Sequence, residues 1–206
     1  MELNELKNEI NTALNKQLIS SRILLHNFRL IDENSRKSGA YQDSRYIPFY
    51  YHLGKHISPK SVLEIGFRLG LNSGTFFKSC KTVEHFLSFQ PKEEGFYSEN
   101  LAKANVKDSY RGELDFHLGQ IEDVSFESKL SKREWDLALI NEEKGYDEHR
   151  RYLDMIWPFV KLGGYVVKDF VTSHKPAKTA FIDFCKIVDR KPIMFETRYG
   201  VGTIQK

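Results

Sequence analysis

From Ser61 onward, short apolar runs alternate with amphipathic stretches, and no other feature restricts the fold of this chain so tightly. The runs are Ser61–Ile65, Val83–Phe89, Leu114–Leu118, Trp135–Ile140, Tyr165–Lys168, Ile193–Glu196 and Val201–Gln205. The stretches near Ser73–Cys80, Glu93–Ala104, Phe126–Leu130, Glu148–Phe159 and Ala177–Val188 have helical spacing. A strand covered on both faces reads as a continuous apolar run, and a helix between two such strands supplies the crossover of a parallel pair. The alternation therefore predicts an α/β domain with a mostly parallel sheet and helices on both faces. The last two runs are separated only by a few residues around Arg198-Tyr199-Gly200, too few for a crossover, so they predict a C-terminal β-hairpin.

The segment before Ser61 is different. Leu3, Leu6, Ile10, Leu14, Leu18 and Ile19 recur at spacings of three and four, which predicts helix over 3–31 with a break at Ser20-Ser21. Residues 32–44 are polar and read as a connection. A further helix is expected over Arg45–Ile57, with Pro48 in its first turn. Residues 1–57 are thus read as a helical cap and 58–206 as the sheet domain. A chain of 206 residues supports one well-buried unit of this kind.

Composition narrows the function. The net charge of +3 comes from interleaved acids and bases, which gives no strong case for nucleic acid. Cys80 and Cys185 are far apart without metal-ligand spacing, as expected of buried reduced thiols. No signal-like or membrane-spanning apolar stretch is present, so a cytoplasmic location is expected.

Two stretches carry candidate chemistry. In Ser61-Val62-Leu63-Glu64-Ile65-Gly66-Phe67-Arg68-Leu69-Gly70-Leu71-Asn72-Ser73, an apolar strand runs into Gly66, Gly70 follows, and a helix begins near Asn72 or Ser73. Such glycines let the chain turn sharply and a ligand approach closely, and the helix start offers unpaired N–H groups. In the second stretch, the strand Trp135–Ile140 ends at Asn141. A helix follows that Gly163-Gly164 is expected to cap, and a further strand ends at Lys168-Asp169. Asn141 and Asp169 then lie at carboxyl ends of strands, where open α/β sheets bind ligands.

From about residue 45 to its end, the chain resembles the class I S-adenosylmethionine-dependent methyltransferases, closest to a small-molecule and sugar methyltransferase subgroup. The resemblance rests on Leu63-Glu64-Ile65-Gly66, on Ile140-Asn141-Glu142-Glu143-Lys144-Gly145-Tyr146, and on Val160-Lys161-Leu162-Gly163-Gly164 leading to Asp169. It implies a Rossmann-like sheet of seven strands, the last antiparallel and inserted by the hairpin. It implies S-adenosylmethionine as cofactor, bound by Glu64, Gly66, Arg68, Gly70, Gln90, Gln120 and Asn141. It also implies a small-molecule or sugar acceptor served by Lys144, Asp169 and His174.

The departures bear on activity. Gln90 stands where the family has an acid on the ribose, a loss of about tenfold or more in affinity if a charged acceptor becomes neutral. Gln120 replaces another acid, and Asn141 and Lys144 replace an Asp and a His. Asn is a poor ligand for a hard cation, so no metal is expected. These replacements leave open an inactive fold serving as a structural or binding module. Lys144 and Lys168 could act as bases if desolvated, although rim lysines ordinarily extend to water. Tyr146 and Arg45 are read as possible site neighbours, and the N-terminal helices as a lid or a homodimer surface.

Overall fold

The computed structural model describes residues 2–26, 28, 43–91, 99–119 and 123–206. Their elements run α1 (Leu3–Asn15), α2 (Ser21–Leu25), α3 (Tyr46–His56), β1 (Ser61–Ile65), α4 (Leu71–Ser79), β2 (His85–Pro91), α5 (Glu99–Lys107), β3 (Glu113–Gly119) and α6 (Val124–Leu130). There follow β4 (Trp135–Ile140), α7 (Tyr146–Ile156), a 3₁₀ turn (Trp157–Phe159), β5 (Val160–Asp169), α8 (Lys175–Ile187), β6 (Ile193–Phe195) and β7 (Val201–Gln205). The expected connection over 32–44 falls largely outside the described residues, as do Gln120 and the start of the helix expected from Glu93.

The strands form one seven-stranded sheet in the order β3-β2-β1-β4-β5-β7-β6. Neighbours from β3 to β5 are parallel, and β7 runs antiparallel between β5 and β6. The hairpin therefore inserts its second strand. Strand periodicity explains why both faces are apolar: Val62, Leu137, Leu139 and Val167 join one buried cluster, while Leu63, Ile65, Ala138, Ile140 and Val166 join the other. The first cluster also takes Leu6, Ile10 and Leu14 of α1, with Phe49, Tyr50 and Leu53 of α3. The second is closed by Tyr152, Leu153 and Ile156 of α7, and by Phe181 and Phe184 of α8. The N-terminal helices thus cover one face of the sheet, with α1 lying against α3 and β6.

Two expectations need correction. The expected division of the helical segment is present as α1 and α2, but it starts earlier than Ser20-Ser21, and residues 27 and 29–31 lie outside the described residues. The break comes at Lys16–Ser20, with Gln17 at a positive φ of 46° and the Ser20 hydroxyl accepting from Ile23 N–H as the new N-cap. The second correction concerns Gly163-Gly164, which does not cap a helix. The α-helix stops at Ile156 and a 3₁₀ turn carries Pro158, whose missing N–H cannot continue the ladder. The chain is already in β5 at Val160, and the glycines sit where its register with β4 shifts. A Cβ on Gly164 would press within 3.0 Å of Asp136 O, so close strand approach is the physical reason for that glycine.

Candidate functional site

The carboxyl ends of β1, β4 and β5 meet the first turns of α3 and α4. Glu64 is 1% exposed, and both its carboxylate oxygens are engaged: Ser73 Oγ donates to one at 2.6 Å and Asn141 Nδ2 to the other at 2.6 Å. Tyr46 and Tyr50, one turn apart on α3, present their hydroxyls to a second carboxylate, that of Asp169. Tyr50 lies 2.7 Å from Asp169 Oδ1 and 3.0 Å from Asn141 Oδ1, and Tyr46 donates to Asp169 Oδ2. Asn72 Nδ2 donates to the Tyr46 hydroxyl at 2.9 Å, which returns the chain of contacts to α4. Glu64, Asn141 and Asp169 are therefore members of one buried network.

Burial sets its electrostatics. Desolvation pushes the Glu64 carboxyl up to about 8, against the opposing effect of the Ser73 and Asn141 hydrogen bonds. It raises Asp169 to about 6, with the two tyrosine hydroxyls and the Lys168 charge pulling the other way. The Tyr50 phenol moves well above its ordinary value, through burial first and the Asp169 charge second. Lys168 is wholly buried, and desolvation brings it down to about 7. It does not reach water, contrary to the ordinary expectation for a rim lysine. Its ammonium donates to Asp169 O at 2.7 Å and to Glu142 O at 3.0 Å, which ties the end of β5 to the loop after β4.

The glycine turn between β1 and α4 is held from several sides. Gly66 N–H donates to Phe89 O at 2.9 Å, and Arg68 N–H donates to Gln90 Oε1 at 2.6 Å. Asn105 Nδ2 reaches Leu69 O at 2.9 Å. Gly66 has φ +90°, and a Cβ there would meet Glu142 Oε1 at 2.7 Å and Asn141 backbone at 2.9 Å. Gly70, the N-cap of α4, has φ +65°. Arg68 takes a left-handed conformation without being glycine, φ 46°, a strained choice of the kind that gathers at ligand sites. Gln90 is buried and engaged with the turn itself, so it braces the cradle.

The remaining candidates lie around His149. Its ring is fully buried, accepts from Lys144 N–H at 3.2 Å, and meets the His174 ring edge-on at 5.8 Å. Burial, with the nearby Lys168 and His174 charges, brings His149 down to about 3, so it is neutral. His174 is half-buried at the N-cap of α8. Arg45 and Tyr146 turn elsewhere: Arg45 links Asn15 to the Glu196 carbonyl, and Tyr146 reaches Asp183. Sequence reasoning missed Tyr46, Tyr50, Asn72 and Glu142. The i, i+4 tyrosines were visible as a pair, but nothing local says that both face a carboxylate more than a hundred residues away.

A hard divalent cation does not fit these donors. The Asp169 oxygens take tyrosine hydroxyls, the Asn141 amide is spent on Glu64 and Tyr50, and the Lys168 ammonium lies against the adjoining carbonyls. An organic ligand fits better, because Glu142 Oε1 is buried without a partner and the strained Arg68 backbone stands at the turn beside it.

No family model matches the chain, and no curated protein matches it in sequence. Solved structures match over nearly its whole length. The O-methyltransferase TomG from Streptomyces achromogenes, involved in tomaymycin synthesis and determined with SAM, is 14% identical with a TM-score of 0.61, covering 100% of this chain and 98% of its own. The O-methyltransferase NovP is 14% identical with a TM-score of 0.63, covering 96% and 99%. An O-methyltransferase from Bacillus cereus in complex with SAH is 13% identical with a TM-score of 0.59, covering 95% and 91%. At such identities the likeness establishes a shared fold, the Rossmann-like seven-stranded sheet with its C-terminal hairpin.

Proposed function

We propose that this chain is an S-adenosylmethionine-dependent methyltransferase acting on a hydroxyl of a small molecule or sugar. The observation that carries the reading is the glycine turn set against a buried Glu64–Asn141–Asp169 network, at the strand ends where such sheets take their ligands. The fold shared with O-methyltransferases determined with SAM or SAH supports it.

The cofactor would lie beside the turn of Gly66 and Gly70, where a Cβ would collide with Glu142 and Asn141 or with Ala102 and Phe67, and which Gln90 and Asn105 hold in place. Glu64 acts by fixing Asn141 and Ser73, since neither of its oxygens is free. When bound, S-adenosylmethionine supplies an electrophilic methyl group on a sulfonium. The protein's main task is then alignment of the acceptor oxygen with that methyl. Asp169 receives the proton that the acceptor hydroxyl releases, by way of the Tyr46 hydroxyl, and burial places its pKa near the range useful to a base. His174 and Lys144 border the acceptor side. The helices α1, α2 and α3 would act as a cap, and Leu18 and Ile23, exposed on it, are where a second copy would sit. Among the described residues no helix is long and apolar enough to cross a membrane.

A site freed from function has little reason to keep Glu64, Glu142, Lys168 and Asp169 buried, because each costs stability. That argues for activity in spite of Gln90 and Asn141. The test is to incubate the chain with methyl-labelled S-adenosylmethionine and a panel of phenols, sugars and hydroxylated small molecules. Label recovered in one acceptor class supports the proposal. Donor binding with no label in any class would favour a binding module.

A further inference from the structure

The geometry points to a phenolic acid as the acceptor, its hydroxyl at Tyr46 and Asp169 and its carboxylate on Arg198 and the Thr197 hydroxyl, at the tip of the hairpin between β6 and β7. This rests on the methyl-transfer reading above and adds to it the chemical class of the acceptor.

Three observations carry it. The first is a fixed hairpin tip beside the buried network. Val171 N–H donates to Gly200 O at 3.3 Å and Thr172 N–H to Tyr199 O at 3.0 Å, so the tip is tied to the chain leaving β5. Gly200 has φ +74°, and a Cβ there would collide with Thr172. Phe170, directly after Asp169, takes φ 65° without being glycine, a strain of the kind that gathers at ligand sites.

The second is a run of rings that leads away from Asp169. Tyr46, whose hydroxyl donates to Asp169, meets the Tyr199 ring edge-on at 5.9 Å, and Phe170 meets the same ring at 5.4 Å. Tyr199 is half-buried, and it offers an aromatic acceptor a surface to pack on.

The third is a cation with no counter-ion at the far end of that run. A cavity lined by Asp43, Arg45, Glu196, Thr197 and Arg198 opens between the start of α3 and the hairpin tip. Its acids are engaged: Asp43 accepts from the Arg45 N–H at 2.8 Å and from the Arg198 N–H, and Glu196 lies 3.7 Å from the Arg45 guanidinium. The Arg198 guanidinium is exposed, lies 5.9 Å from the Tyr199 ring centre and meets no carboxylate among the described residues. Thr197 is only 9% exposed, yet its Oγ1 has no hydrogen-bond partner. A buried hydroxyl without a partner forfeits its hydration, and a bound acceptor oxygen restores what was lost. A guanidinium fork and a hydroxyl are both donors, which suits a carboxylate. A sugar would need acceptors there as well, and the acids are already engaged.

The test is calorimetric titration of the chain saturated with S-adenosylhomocysteine. The ligands are para-hydroxybenzoate, para-hydroxyphenylacetate and para-hydroxyphenylpropionate, which differ in reach, and their three amides. At least one acid should bind about tenfold or more tightly than its amide, with a preference that shrinks as salt is raised. Arg198→Gln should remove that preference and leave S-adenosylhomocysteine affinity within about twofold, and Arg198→Lys should restore part of it. Tyr199→Leu should weaken acid and amide alike. Acids that bind no better than amides, a preference that survives Arg198→Gln, or no binding of any of the six to the loaded chain would each overturn the assignment and leave the donor reading standing. Wild-type protein that does not take S-adenosylhomocysteine would remove the donor reading, and the acceptor assignment with it.

Discussion

The two ends of the sheet use the same kinds of residue in opposite ways. At the amino ends of the strands, Lys60 pairs with Glu84, His85 with Glu113, Lys129 with Asp115, and Lys161 with Asp136, each on a partly or largely exposed side chain. Water and salt screen such pairs, and each contributes little. At the carboxyl ends, Glu64, Glu142, Lys168 and Asp169 are all no more than 1% exposed. There a charge is not screened, its pKa moves, and its partners are chosen by geometry. The difference teaches where function resides: charge is cheap at one end and costly at the other, and it is kept at the costly end.

The largest effect should come from a pair of glycine substitutions that share a backbone conformation. Gly66 has φ +90° at the carboxyl end and Gly163 has φ +83° in the amino-end part of β5, where an added Cβ meets nothing within 4 Å. Gly66→Val should reduce S-adenosylhomocysteine affinity by more than about a hundredfold in calorimetry, because the side chain would collide with Glu142 and Asn141 and push the turn out of place. Gly163→Ala should cost about 1 kcal/mol of stability through backbone strain and leave affinity unchanged. Equal effects on affinity would erase the contrast between the ends.

Next in size is Asp169→Asn. Turnover of the acceptor found in the label screen should fall about a hundredfold or more, with donor affinity within a few-fold of wild type. Unchanged turnover would remove Asp169 from the chemistry.

A smaller effect concerns pH. Glu64 has its folded pKa raised to about 8. Its contribution to stability is present at low pH, and is lost as pH rises from its unfolded value near 4.5 through 8, because the unfolded chain ionises first. Glu64→Gln has no such loss, so its melting temperature should gain on wild type by several degrees between about pH 5 and pH 8. A flat or falling difference would mean that Glu64 is ionised in the folded protein. The smallest change should be Glu84→Ala at the amino end: a degree or two at most in melting temperature, shrinking further in about 1 M salt.

The sequence made one end of this molecule more legible than the other. The bounds of β1, β4 and β7 follow from apolar runs stopped by glycines or polar residues, and the short link after β6 fixes a hairpin. Local rules suffice for these. They fail at β5, where Pro158 ends the helix early and Gly163-Gly164 belong to a strand. At the site, Glu64, Gly66, Asn141 and Asp169 could be named because strand-end position is a local property. Their bonding could not, since Tyr50 reaches Asp169 across 119 residues of sequence. Lys168 illustrates the same limit: its place at a strand end suggests water, and only the packing of neighbouring elements seals it in. Gln120, named from the family pattern, lies outside the described residues.

The central claim is that the carboxyl-end network forms a methyl-donor site, and calorimetric titration of the purified wild-type chain with S-adenosylhomocysteine tests it most directly. The account predicts one site per chain with micromolar affinity, about −8 kcal/mol. No detectable heat of binding at millimolar ligand, with the protein folded and free of copurified cofactor, would contradict it.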